Sequence, residues 1–70
     1  MSDWPATKSG SALKALLRIG WTIKRQRASH ITLERLGWKD YVWSFHDGDE
    51  IGPPMLSRIS KKTGLKPEDL

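Results

Sequence analysis

The chain is predicted to be an α+β domain of order αβββα, with a three-stranded antiparallel sheet and two helices on one of its faces. Three observations predict this. Ser11 to Ile19 carries an apolar stripe at helical spacing, three stretches of alternating polarity follow between Trp21 and Phe45, and a second helical stripe lies behind Pro53-Pro54. Seventy residues allow one domain at most, and a chain of that size buries only about 60% of its unfolded surface. With no cysteine, disulfides and thiolate zinc sites are excluded, so packing, helped by any partner, must supply the stability.

Met1 to Lys8 holds Trp4-Pro5 and no periodicity, and reads as a loose arm ahead of a single domain over residues 9–70. Ser9-Gly10-Ser11 supplies capping residues in front of Ala12, Leu13, Leu16 and Leu17, which share one helical face, and Gly20 stands where a left-handed residue would end the helix. From Trp21 to Gln26, Trp21 and Ile23 alternate with Thr22, Lys24 and Gln26, which predicts a strand. A turn at Arg27-Ala28-Ser29 leads to a second strand, His30 to Arg35, with Ile31 and Leu33 on one side and His30, Thr32 and Glu34 on the other. Leu36 to Asp40 has the Gly and Asp of a hairpin loop, and Tyr41 to Phe45 is the third strand. Short loops make the three an antiparallel meander. Pro53-Pro54 presets the entry of a second helix with Met55, Leu56 and Ile59 inward, Arg58, Lys61 and Lys62 outward and Gly64 as its stop, and Lys66 to Leu70 suits one more turn.

Twelve Lys and Arg against eight Asp and Glu leave a net charge of +4, in the range of nucleic-acid binders. The charge is segregated. Met1 to Lys39 carries +6, Asp40 to Glu50 has four acids and no base, and the remainder adds +2. That order predicts a phosphate-facing side and an acidic side turned away from it. No apolar run nears the roughly 20 residues of a membrane span and the start lacks a basic-then-apolar leader, which predicts a soluble, unprocessed, cytoplasmic protein. Asp47, Asp49 and Glu50 around Gly48 lack a full ligand set and read as a solvated loop, so neither metal nor cofactor is expected.

Imidazole is the side chain that ordinarily exchanges protons near neutrality, and the chain has two, His30 and His46. Alternation turns His30 outward, opposite Ile31 and Leu33, just after Lys24, Arg25 and Arg27. Phosphodiester transesterification needs a base for the ribose 2′-hydroxyl and cations for the developing phosphorane charge. The residues alone leave two readings: that catalytic pair of functions, or a solvated strand histidine beside ordinary surface cations. His46 ends the third strand, either as a second acid or base or as a loop residue satisfying hydrogen bonds.

Ser9-Gly10 before an apolar helix ending Gly20-Trp21, then Arg25-Gln26-Arg27-Ala28-Ser29-His30, a strand ending in a second histidine, and finally Gly52, Leu56, Ile59 and Gly64 together resemble the HicA toxins over roughly Ser9 to Leu65. The resemblance implies the small fold of double-stranded-RNA-binding domains. It also implies a type II toxin–antitoxin pair, in which the toxin is an mRNA interferase that cleaves messenger RNA and a HicB-type antitoxin neutralises it. The family signature is Gly-Ser-His at the start of the second strand with the histidine catalytic, and His30 occupies that place. Ala28 stands where the family has glycine, and Ser44-Phe45-His46 where many members have Pro-Val-His.

On this reading the protein is a metal-independent endoribonuclease with His30 as general acid or base. Lys24, Arg25 and Arg27 grip RNA phosphates, Ser29 orients the imidazole or touches RNA, and His46 is a possible second acid or base. The RNA is single- or double-stranded. Trp38, in a predicted turn, is set aside for stacking on a base or packing into the antitoxin. The rivals are a non-catalytic basic RNA-binding module and a degenerate toxin kept only for its partner.

Overall fold

The computed structural model describes residues 4–70. Helix α1 spans Ser9–Arg18 and helix α2 Pro53–Thr63. Strands β2 (Thr22–Arg27), β3 (His30–Glu34) and β4 (Tyr41–Trp43) form the antiparallel meander in that order, with α1 and α2 on one side of it. The predicted αβββα order holds. Two short strands, β1 (Thr7–Lys8) and β5 (Glu50–Ile51), pair antiparallel as a separate ribbon that alternation did not reveal. Of the segment read as a loose arm, Met1 to Asp3 lie outside the described residues, Trp4 packs against the core, and Thr7–Lys8 is hydrogen-bonded to β5.

The α1 stripe is narrower than its leucines suggest. Ala12, Ala15 and Leu16 are buried, Leu13 is half-buried, and Leu17 faces water. Gly20 takes the positive φ of 115° expected of it, which lets its N–H reach the Leu17 carbonyl and the Trp21 N–H the Leu16 carbonyl. Ser9 is no cap. It lies inside the first turn, almost fully buried, and its hydroxyl donates to the His46 carbonyl at 2.6 Å. In α2, Pro53 and Pro54 occupy the first helical positions, where no N–H is missed, and Thr63 rather than Met55 completes the buried stripe of Leu56 and Ile59. A turn of 3₁₀ helix at Pro67–Asp69 follows.

The core draws Leu33 and Trp43 from the sheet, Ile51 from β5, the two helix stripes, and Trp21 and Leu65 from the connections. Trp21 joins the two helices. Its indole N–H donates to the Thr63 carbonyl at 3.0 Å, while the Thr63 hydroxyl donates to Ile59 and accepts from the Leu65 N–H. No described helix is long and apolar enough to cross a membrane.

Candidate active site

Strand register decides which side chains share a face, because residues directly opposite in an antiparallel pair point the same way. Arg27 faces His30 across the two-residue turn Ala28-Ser29, and Gln26 faces Ile31. One bulge interrupts the ladder: Ile23 pairs with Leu33 and Arg25 with Thr32, leaving Lys24 as the extra residue. Strict alternation would have put Lys24 and Gln26 together with Thr22. Past the bulge the phase is reversed, so Arg25 and Arg27 join His30 and Thr32 on the open face and Gln26 turns to the helix-facing side.

The open face thus carries His30 flanked by Arg27 and, one pair further along, Arg25 beside Thr32, with Val42 of β4 across from Thr32. His30, Arg25 and Arg27 are all exposed, and among the described residues none of them holds a side-chain hydrogen bond or ion pair. Lys24 is differently placed. Its ammonium meets the Asp40 carboxylate at 2.8 Å, and that hydrogen bond raises its pKa above the ordinary 10.5. Arg18 is tied to the Asp69 carbonyl at 2.6 Å, and Arg35 lies over the Trp38 ring at 5.5 Å. Of the basic residues in the first half of the chain, Arg25 and Arg27 are those left free beside an imidazole.

The turn itself is strained in one place. Ala28 has φ 51°, a left-handed conformation that costs an L-residue with a β-carbon about 1–2 kcal/mol. The hairpin keeps its pairing in spite of that, since Arg27 and His30 remain opposite each other.

His46 is held by its backbone rather than its ring. Its N–H donates to the Asp49 carboxylate at 2.9 Å, and its carbonyl accepts from the Ser9 hydroxyl and from the Asp49 N–H. His46, itself exposed, lines a cleft of about 220 Å³ with Gln26, Ala28, Ser29, Ile31, Phe45 and Asp47. His30 is not among those residues. The acidic stretch is therefore not turned away from the basic hairpin, as its place in sequence suggested: Asp40 binds Lys24, and Asp47 shares a cleft with Ser29. Gln26 and Phe45 did not stand out in the sequence as site residues. The signal for Phe45 was its alternation with Trp43, whereas nothing local announces the bulge that redirects Gln26.

Trp38 packs edge-on to Trp21 at 6.0 Å and covers Gly64, where a β-carbon would meet its ring at 3.0 Å. Half of its role is therefore internal, although 42% of it remains exposed.

Fold and face together define a class: a small sheet-and-two-helix protein whose exposed surface presents an imidazole on a β-hairpin beside two arginines of the adjacent strand. The family model described as the HicA toxin of bacterial toxin–antitoxin matches residues 11–65, and the chain belongs to that family. Searches of curated proteins and of solved structures return no match.

Proposed function

We propose that this toxin-family protein is an endoribonuclease acting on messenger RNA, with His30 as its proton-transfer residue. The observation that carries the reading is the β2–β3 register, which sets Arg27 opposite His30 and Arg25 one pair further along the same open face. In this mechanism the His30 imidazole takes the proton of a ribose 2′-hydroxyl, and the 2′-oxygen attacks the adjacent phosphorus. The P–O5′ bond breaks, and the leaving oxygen takes a proton from water. A 2′,3′-cyclic phosphate and a 5′-hydroxyl end result. Arg25 and Arg27 hold the phosphate and oppose the charge that develops on it, a use of fixed cations that costs no rearrangement during reaction. Lys24, already paired with Asp40, has a smaller part in this grip. Ser29, the turn residue next to His30, orients the imidazole or contacts the RNA. We leave His46 out of the proton transfer, because its cleft is shared with Gln26, Ile31 and Phe45 from the helix-facing side of the sheet.

The family implies an antitoxin partner, and we propose a HicB-type protein that covers the open face and is encoded beside this one. Two experiments test the reading. Labelled RNA incubated with the purified protein and EDTA should give fragments ending in cyclic phosphate. His30→Ala, shown folded by its tryptophan fluorescence, should cleave at least about 10²-fold more slowly, the low end of what general acid–base catalysis supplies. Cleavage by the variant within a few-fold of wild type would sink the assignment of His30. Expression in bacteria should arrest growth unless the antitoxin is co-expressed, whereas a purely RNA-binding module would leave growth unaffected.

A further inference from the structure

The two sides of the Ala28-Ser29 turn differ in chemistry. On the open face stand Arg25, Arg27 and His30, a surface suited to a phosphate. On the other side is the cleft of about 220 Å³, whose lining includes a carboxylate, Asp47, and no Lys or Arg. That lining favours a phosphate less than the open face does. The cleft instead combines Phe45 and Ile31 with the polar residues Gln26, Ser29 and His46. The Phe45 ring packs edge-on against buried Trp43 at 4.9 Å, a contact that restrains it. An amide that both donates and accepts, a hydroxyl and a carboxylate that only accepts are the groups that read the edge of a base.

We propose that this cleft holds one unpaired nucleobase of the RNA, next to the phosphate engaged on the open face, and that Gln26 is the residue that reads it. The inference rests on the ribonuclease reading above and adds the substrate class: single-stranded or looped RNA. Ser29 lines the cleft and His30 does not, yet the two are consecutive, with Cα atoms about 3.8 Å apart. A strand crossing the turn therefore sets a phosphate on one side and a neighbouring base on the other. A paired duplex does not fit this division, because its bases are stacked inward and its major groove is too deep and narrow for side chains to read. Gln26 is in position only because the bulge at Lys24 reverses the phase of β2.

The test uses the full chain carrying His30→Ala, isotope-labelled for NMR, and titrates it with each ribonucleoside 3′-monophosphate, a short single strand and a hairpin stem. The expected result is a perturbation of the Gln26 side-chain amide, Phe45 and His46 whose size depends on the base. The single strand should be favoured over the stem. Adding Gln26→Ala should weaken the preferred nucleotide about 10-fold or more, the value of losing a two-point base contact, and even out the four bases. Gln26 is exposed, so this variant leaves the core intact, and unchanged Trp43 signals verify it.

Perturbation confined to Arg25 and Arg27 and equal for all bases would overturn the proposal, as would stem and single strand binding alike. So would cleft signals that respond to a purified antitoxin but to no nucleotide, since the cleft would then belong to a protein side chain. Failure of the ribonuclease reading is distinguishable: base-dependent cleft signals from a wild-type protein that cuts no RNA would remove the catalysis and keep the base site.

Discussion

Ala28 is the residue where local rule and local structure disagree most openly. Its φ of 51° suits glycine, and a methyl group at that position stores about 1–2 kcal/mol of strain. Glycine would lose more conformational freedom on folding, a cost of about 0.4–1 kcal/mol. Ala28→Gly is accordingly expected to stabilise the chain by up to about 1 kcal/mol, measured by urea denaturation, with RNA cleavage retained. A loss of stability would mean that the turn is shaped by something other than this φ. The sequence already marks the position as special, because an Arg-Ala-Ser-His hairpin needs a tight turn and supplies no Gly or Asn to make it. His30 was equally legible: a polar residue alternating with Ile31 and Leu33 has one way to point. The partners of Lys24 were not, since Asp40 lies sixteen residues away and reaches it only through the turn between β3 and β4.

At the scale of elements, the stops are better written than the faces. Gly20 and Gly64 both end helices with positive φ, and both are recognisable as the residue after an apolar stripe. Gly64 carries a second constraint, because an added β-carbon would sit 3.0 Å from the Trp38 ring. Gly64→Ala should therefore cost at least about 1 kcal/mol, from the left-handed backbone together with the displaced indole. For a domain of this size that corresponds to a fall in Tm of roughly 4–8 °C per kcal/mol. A changed tryptophan emission should accompany it, and an unchanged Tm with unchanged emission would contradict the packing described. Faces were harder to read. Leu17 and Met55 are helical and apolar yet exposed, because the stripe needed to cover a three-stranded sheet is narrower than the apolar residues present. The bulge in β2 has a larger effect, since one extra residue exchanges the faces of everything between it and the turn.

The whole molecule places its charges in a way that sets its response to pH. Burial pushes the Tyr41 hydroxyl above its ordinary 10.0, and Asp40 holds the Lys24 ammonium above its ordinary 10.5. In both cases the folded state keeps a proton that the unfolded state releases first. The stability these groups contribute is present in full below their unfolded values and is lost as pH rises through the folded ones. The Lys24 pair is solvent-exposed and contributes little, so Tyr41 dominates. Denaturation midpoints should fall as pH climbs above 10.0, and Tyr41→Phe should flatten that fall. A slope identical in the two proteins would show that Tyr41 is not responsible.

Sequence by itself determined the αβββα order, the positions of the helix stops, the outward aim of His30 and the membership implied by its hairpin. These depend on neighbours within a turn or a strand, so short-range periodicity suffices to specify them. Tertiary structure alone decided that Arg25 and Arg27 rather than Lys24 accompany the imidazole, that Ser9 and Asp49 fix the His46 backbone, and that Gln26 and Phe45 line one cleft. Each of those follows from strand register or from contact between segments far apart in the chain, and both are settled by the packing of the core as a whole.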